Sequence, residues 1–332
     1  MKTLYSGEYY EVMNIKNILE NENIETILEN EMMASIEPVA ITSGGFRALV
    51  LKIQDEDYEK ATEVINHYKS GKLHVSRNFK NMTCKLCEQE KKLIKAHILP
   101  KFLYEKMKDE NNSFLTVNYD IKDFKNHKKK KVQIEDYDPK ILCGDCDNRI
   151  LGRYYEDYAK IMFYGAKFPT EINPECTNFK NPNDGAEYSI CVNFDYKRTK
   201  NFLLSLLWRA SITDRPFFDE VSLGSKHNER LRKILYENIE TDEDEYPILI
   251  SSFIRTKNKF DNLIFKPYRS RNKDGLTSYV FMIDGYQYIF FVKSKEHSFP
   301  KNLKKISLTK EQFFVSHLMD GMELDVFKNL LS

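Results

Sequence analysis

The chain lacks the features that mark membrane and secreted proteins. Its 332 residues contain no run approaching the ~18 apolar residues that a membrane-spanning helix needs. Glu8 and Glu11 interrupt the apolar stretch that a secretory signal peptide would require. Cysteine is scarce, with six residues, and in a reducing cytoplasm paired cysteines bind metal more often than they form disulfides. We therefore expect a cytoplasmic globular protein without membrane contact.

The chain also has almost no excess charge of either sign, because its formal net charge is +1. That balance hides an asymmetry: residues 1–68 carry 5 Lys and Arg against 13 Asp and Glu, whereas the remainder carries 46 against 37. The net charge of the whole chain is too small to indicate nucleic-acid binding by itself. The asymmetry predicts that only the part after residue 68 meets a polyanion.

Four of the six cysteines form two C-x-x-C pairs, Cys84 with Cys87 and Cys143 with Cys146. Two residues between cysteines let both thiolates face one ion, and two such pairs complete a tetrahedral site. We therefore predict a structural Zn²⁺ held by these four thiolates. The remaining cysteines, Cys176 and Cys191, have no partner pattern, and we expect them to be packing residues.

Residues 1–68 predict a small α+β domain. Strand and helix patterns follow in the order β-α-β-β-α, which favours a ferredoxin-like layer of helices on an antiparallel sheet, with a turn at 43–45. The opening strand, residues 18–25, Asn30 with Glu31, the turn glycines and residues 57–61 resemble a bacterial domain family described as a signal transducing protein. The resemblance implies a regulatory module that binds a ligand or a protein. Residues 69–80 are polar and predict a linker.

The rest of the chain predicts a zinc-containing unit over 81–166 and an α+β domain with an antiparallel sheet over 167–332. Residues 110–140 are interpreted as a polar insertion in the first of these. In the second, an apolar helix covers 201–210, a further helix covers 231–236, and four strands follow, the last two joined at Asp284 and Gly285. Two short helices are expected to end the chain.

The zinc unit resembles the HNH nuclease family, in which a two-stranded ribbon and a helix surround one catalytic metal (the ββα-metal fold). The matching residues cover a quarter of the chain with the flanking helix; they are Cys84, Cys87, His97, Ile98, Pro100, Cys143, Cys146, Asp147 and Asn148. The resemblance implies metal-dependent hydrolysis of DNA phosphodiester bonds. Mg²⁺ or Mn²⁺ would offset the charge of the reacting phosphate.

The resemblance also implies roles for individual residues. His97 becomes the general base, since an imidazole with a pKa near ~6.5 suits that task. Asp147 becomes a metal ligand, and Asp138 takes the place of an asparagine that orients the histidine loop. The family often has a further ligand directly before the base, but here that residue is Ala96.

A helical wheel at 100° per residue supplies replacements for the missing ligand. It places Asn148, Arg149, Gly152 and Glu156 in one polar sector and Tyr154 in the opposite, buried sector, with Asp147 toward the apolar side. Asn148 and Glu156 are therefore rival metal ligands. The expected phosphate contacts are Arg149, Arg153, Lys128, Lys129, Lys130 and Lys131.

Each assignment has a structural alternative. His97 could be a packed core histidine, and Asp147 could be only a helix cap. Glu156 could pair with Lys160 one helical turn away. The arginines could form a solvated helix face, and the lysine run could be a solvated loop. The tyrosines at 154, 155 and 158 could be part of the core.

The expected function is that of an HNH-like endonuclease acting on DNA, regulated by its first domain and directed at phage or plasmid DNA. The alternative is a non-catalytic zinc module that binds nucleic acid or a partner protein, and Ala96 favours it. A homo-oligomer is compatible with either.

Overall fold

The chain folds into two compact units, Met1–Phe79 and Lys80–Ser332, and both mix helices with antiparallel-rich sheets. The α+β class is therefore as expected. Among the described residues, no helix is both long and apolar enough to cross a bilayer. The computed structural model describes residues 1–7, 11–12, 15–16, 18–19, 24–29, 49–70, 82–111, 113–120, 123–132, 136–168, 171–257, 259–271, 276–292 and 298–322.

The first unit is a three-stranded antiparallel sheet in the order β1-β3-β2, covered by helices. Its core contains Val12, Ile15 and Leu19, which lie on one helical face as their spacing predicts. The turn expected at 43–45 lies outside the described residues. The elements are β1 (Lys2–Gly7), β2 (Thr26–Glu29), β3 (Leu49–Ile53) and α1 (Tyr58–Lys69).

The second unit begins with short ribbons that carry the zinc and histidine motifs. β4 pairs with β5, and β6 pairs with β9, both antiparallel. A π-helix, Cys146–Glu156, follows and runs directly into α3, which ends at Gly165 with a left-handed φ of 63°. The elements are β4 (Met82–Thr83), β5 (Glu90–Lys91), β6 (Ala96–His97), α2 (Lys101–Met107), β7 (Phe114–Asp120), β8 (Asp123–Val132), β9 (Tyr137–Asp138) and α3 (Asp157–Tyr164).

A nine-stranded sheet forms the body of this unit, in the order β10-β11-β16-β12-β15-β14-β13-β7-β8. The β14–β15 hairpin turns at Asp284 and Gly285, both with positive φ, as the sequence predicts. The elements are β10 (Glu175–Lys180), β11 (Glu187–Val192), α4 (Tyr196–Ile212), α5 (Gly224–Tyr236), β12 (Ile248–Arg255), β13 (Leu263–Arg271), β14 (Thr277–Ile283), β15 (Tyr286–Val292), α6 (Lys301–Lys304) and β16 (Phe313–Met319).

Helix α4 is the central element of the second unit. The Asp195 side chain caps it by accepting a hydrogen bond from the Arg198 backbone N–H at 2.9 Å. Nearly every residue of α4 is buried, including its arginines and Lys200. One hydrophobic cluster extends from Cys84 to Val315, so the segments 81–166 and 167–332 share a core.

Two expectations for this unit differ from the structure, and a third is described only in part. Most of the segment predicted as a polar insertion forms β7 and β8, because β7 is seated parallel to β13 at the side of the large sheet. Of the two short helices expected to end the chain, α6 is one, and the segment after residue 322 lies outside the described residues. Cys176 and Cys191 are not isolated packing residues, since they face each other across β10 and β11 and form a disulfide.

Candidate active site

The four predicted zinc ligands form one cluster, in which the ligand atoms of Cys84, Cys87, Cys143 and Cys146 all lie within 4.8 Å of one another. We call this the cysteine cluster. Each cysteine pair lies in a turn closed by a backbone hydrogen bond, from the Glu88 N–H to the Cys84 carbonyl at 2.8 Å and from the Asp147 N–H to the Cys143 carbonyl at 3.0 Å. Four sulfur atoms at this separation suit a tetrahedral metal such as Zn²⁺.

One of the four sulfur atoms is stabilised as a thiolate by its neighbours, whereas burial raises the pKa of Cys87 and the Cys84 sulfur raises that of Cys146. The Cys143 backbone N–H points at the Cys84 sulfur at 3.3 Å. The Cys146 thiol, together with backbone N–H groups, lowers the pKa of Cys84 to about 4. A thiolate is the form that ligates metal. The four-sulfur donor set thus fits the predicted structural site.

The cluster positions a histidine against the start of the π-helix. His97 lies on β6, which pairs with β9 through Ala96 opposite Asp138 and His97 opposite Tyr137. The cluster ties this ribbon to the helix, since the helix begins at Cys146. The arrangement is a two-stranded ribbon followed by a helix, with the cysteine cluster at the junction.

A cleft of about 340 Å³ opens between the ribbon and the π-helix, and we call it the His97 cleft. It contains four of the five residues predicted to be catalytic. They come from β6 and from both ends of the π-helix. The residues that line the cleft are His97, Pro100, Lys101, Asp147, Asn148, Gly152, Arg153, Glu156, Asp157, Lys160 and Arg209.

The π-helix explains why Asp147 faces the cleft, where the 100° wheel placed it toward the apolar side. Hydrogen bonds in a π-helix join residues i and i+5, so each residue turns through a smaller angle than in an α-helix. The Asp157 backbone N–H accordingly bonds to the Gly152 carbonyl. Gly152 also permits a tight turn, because a Cβ there would lie 3.1 Å from the Asp147 carbonyl oxygen. The same change of pitch exposes Tyr154, which the wheel predicted to be buried.

The Asp147 carboxylate faces the cleft without a protein partner among the described residues. Asp147 lies inside the helix and does not cap it, and the residues that the structure describes provide its carboxylate with neither a hydrogen-bond donor nor an ion pair. Burial raises the pKa of Asp147 to about 6, and Glu156 adds to that shift while Arg209 opposes it. A half-buried carboxylate of this kind is suited to bind a cation.

Arg209 is the site residue that the sequence analysis missed. Its side chain is 1% exposed, and it reaches from α4 to donate to the His97 carbonyl at 3.1 Å and to Glu156 at 2.5 Å. Glu156 therefore pairs with Arg209 and not with Lys160, which pairs with Asp157. The signal in the sequence was an arginine inside an apolar helix, since a buried arginine requires an acceptor.

Asp138 is buried behind the ribbon and does not line the cleft. Its carboxylate accepts hydrogen bonds from the Lys140 backbone N–H at 2.8 Å and from the Thr213 hydroxyl at 2.7 Å. These contacts hold β9 opposite Ala96 and suit an orienting role. Ala96 is itself fully buried. Since successive strand residues point to opposite faces, a ligand at position 96 would face the core and not the cleft.

The predicted phosphate-binding residues are divided between two places. Arg153 lines the His97 cleft, whereas Arg149 is turned away from it and pairs with Asp145. The lysine run lies on β8, at the edge of the large sheet, rather than in a loop. Lys131 pairs there with Asp109, Lys130 is exposed, and the side chains of Lys128 and Lys129 lie outside the described residues.

Comparison with known proteins bears on the first unit. Residues 1–69 match the model of a family described as "Putative prokaryotic signal transducing protein", which agrees with the resemblance seen in the sequence. The match covers a fifth of the chain and leaves the second unit unassigned. The search of curated proteins and the search of solved structures found no match.

Proposed function

We propose that the chain is an HNH-like, metal-dependent endonuclease that hydrolyses DNA phosphodiester bonds in the His97 cleft. The observation that carries this proposal is that one cleft is lined by His97 of β6 together with Asp147, Asn148 and Glu156 of the π-helix. An imidazole beside oxygen ligands is what hydrolysis of a phosphodiester requires.

The donor set of the cleft fits a hard divalent cation. The Asp147 carboxylate and the Asn148 amide both line it, and Mg²⁺ and Mn²⁺ prefer oxygen ligands. These two residues would hold the ion. Glu156 is instead engaged by a hydrogen bond from Arg209. When bound, such an ion supplies charge stabilisation for the reacting phosphate and the leaving oxygen.

The chain's own residues supply the remaining parts of the mechanism. His97 takes the proton from the attacking water, and Arg209 fixes the position of its backbone through the carbonyl. Lys101, Arg153 and Lys160 line the same cleft and provide positive charge for the phosphates. Arg153 is exposed, and within the described residues it has no ion-pair partner.

The proposal includes regulation by the first unit. Its sequence is acidic and matches a family described in terms of signalling, so we infer that it responds to a ligand or protein. A nuclease under such control would suit defence against phage or plasmid DNA. Deletion of residues 1–79 should then change the rate of plasmid cleavage. An unchanged rate, with and without cell extract, would contradict a regulatory role.

The test of the proposed function is cleavage of supercoiled plasmid DNA by the full chain with Mg²⁺ or Mn²⁺. We expect His97→Ala to lower the rate by about 10²–10⁴-fold, the usual contribution of a general base, while zinc content stays at one per chain. A wild-type protein that cuts with neither ion, or a His97→Ala variant that cuts as fast, would refute it.

The alternative, a zinc module that only binds nucleic acid, is favoured by the engagement of Glu156 with Arg209 and by the burial of Ala96. With Glu156 paired to Arg209 and an alanine at position 96, the cleft has fewer metal ligands than the family pattern requires. Steeply salt-dependent DNA binding with no cleavage under any divalent ion would support this alternative.

A further inference from the structure

A second cavity, of about 570 Å³, lies beside the His97 cleft between the π-helix and the end of α5. We call it the tyrosine cavity, after Tyr154 and Tyr236 in its wall. Its volume falls within the range of about 300–1,000 Å³ that is usual for ligand sites. Arg153 lines both cavities. The two cavities therefore adjoin at Arg153.

The wall of this cavity offers aromatic surface to solvent. Tyr154 is 38% exposed and Tyr236 is 39% exposed, while the apolar side chains of Ile150 and Leu235 complete the wall. Exposed aromatic rings beside cations are the platforms on which proteins stack the bases of single strands. Such stacking tolerates any base, because every base has a π-face.

Tyr154 is held in place before any ligand arrives. Its hydroxyl accepts a hydrogen bond from the Asn238 side chain at 2.9 Å, and the Arg198 guanidinium lies 5.0 Å from the centre of its ring. The rings of Tyr154 and Tyr155 pack in a T-shaped arrangement with their centres 5.1 Å apart. Tyr155 in turn bonds to Asn238 at 3.2 Å. A ring fixed in this way loses little conformational freedom when a base stacks on it.

The charges around the cavity suit a nucleotide better than a neutral apolar ligand. Arg149 and Arg153 both line it, and Arg153 lacks a protein partner among the described residues. Glu237 is the acidic residue in the lining. It would repel a phosphate, but a carboxylate accepts hydrogen bonds from the amino group of a base. The arrangement therefore places phosphate toward Arg153 and a base toward the tyrosines.

We propose that the tyrosine cavity binds an unpaired base of the DNA strand whose phosphate lies in the His97 cleft, so that the chain prefers single-stranded or unpaired DNA. This inference rests on the proposed function for its place in the reaction. In a duplex the bases are stacked and paired, and a base has to leave that stack before it can enter a side pocket.

The test is binding of a fluorescein-labelled, single-stranded oligonucleotide of mixed sequence, and of the duplex of the same sequence, by the full chain without divalent ion, measured by fluorescence anisotropy. We expect tighter binding of the single strand. Tyr236→Ala should weaken it about 5- to 150-fold, the range seen when a stacking ring is removed. Duplex binding should change much less, and Tyr236→Phe should bind like the wild type.

Phe179→Ala is the matched control, since Phe179 is a 42% exposed ring on the edge strand β10. It should leave binding of both DNAs unchanged. The inference is overturned if Tyr236→Ala and Tyr154→Ala bind the single strand as the wild type does, or if they weaken single strand and duplex equally. Failure of the nuclease proposal is read separately, from plasmid cleavage. If the wild type never cleaves DNA but the tyrosine variants lose single-strand binding, the base-binding site is supported and the nuclease proposal is refuted.

Discussion

The cysteine cluster and the His97 cleft meet at one peptide bond, between Cys146 and Asp147, yet they are built in opposite ways. In the cluster, four sulfur atoms lie within 4.8 Å of one another, and three of the four cysteines are buried. In the cleft, Asp147 and Arg153 are left without protein partners among the described residues. A closed set of four ligands is typical of a structural metal, and an open set is typical of a catalytic one.

This contrast predicts that the cysteine cluster determines the stability of the second unit and that the His97 cleft determines its reactivity. If the cluster is structural, its loss should unfold the second unit and the cleft with it. If the cleft is reactive, its polar residues should be replaceable without loss of zinc. Arg209 lies between these cases, because it belongs to the cleft but is buried in the core.

The largest effect is expected from Cys143→Ser. Removal of one thiolate should reduce the zinc content and with it most of the stability of the second unit, since structural zinc contributes on the order of 10 kcal/mol in small zinc domains. Metal analysis and thermal unfolding measure the two quantities. Cys176→Ser is the matched control and should keep one zinc per chain. An unchanged zinc content in Cys143→Ser would refute the four-cysteine site.

A smaller loss is expected from Arg209→Met, which leaves the Glu156 carboxylate buried without its partner. Breaking a buried ion pair in this way costs about 3–5 kcal/mol in free energy of unfolding. Urea denaturation measures it, and zinc content should not change. The double variant with Glu156→Gln should recover part of the loss. A double variant as unstable as the single one would show that the pair is not the cause.

The hydroxyl that holds Asp138 should contribute less. Thr213→Val removes the donor to that carboxylate, and hydrogen bonds to charged groups contribute about 1.5–3 kcal/mol. Thr241→Val is a close control, because among the described residues the buried Thr241 hydroxyl has no hydrogen-bond partner. Urea denaturation should rank Thr213→Val clearly below Thr241→Val in stability. The reverse order would contradict the role given to Asp138 in holding the ribbon.

The smallest effect is expected from Lys131→Ala on the sheet edge. Lys131 and Asp109 are both exposed, and an exposed ion pair adds little to stability. The unfolding midpoint should not move, and plasmid cleavage should stay within about twofold of wild type. Arg153→Ala should slow cleavage more, because Arg153 lines the cleft. If Lys131→Ala slows cleavage more than Arg153→Ala does, the phosphate contacts lie on the lysine run and not in the cleft.

Much of the molecule followed from local sequence patterns. The spacing of the four cysteines predicted their cluster, and apolar patterns predicted α1, α4 and four of the nine strands of the large sheet, β12 to β15. These features depend on residues near each other in the chain, or on a ligand geometry that a short motif encodes. The motif and the helix after it also singled out His97, Asp147, Asn148 and Glu156, which all line the His97 cleft, while their catalytic roles stay a prediction.

The features that sequence analysis missed depend on contacts between distant residues. Arg209 meets His97 across 112 residues of chain, and no local pattern records that pairing. The disulfide between Cys176 and Cys191 required the β10–β11 hairpin, which was not predicted. The π-helix changed the direction of Asp147 and Tyr154, because a wheel with an assumed α-helical pitch cannot register a shift to i→i+5 bonding.

The most direct test of the contrast between the two sites is titration of Mn²⁺ into the full chain, purified with its zinc and followed by electron paramagnetic resonance. The wild type should bind one Mn²⁺ per chain beside one retained zinc. Asp147→Ala should abolish Mn²⁺ binding and keep the zinc, because Asp147 is the cleft carboxylate without a protein partner. A wild type that binds no Mn²⁺, or an Asp147→Ala variant that binds it equally well, would contradict the assignment of a second, open metal site.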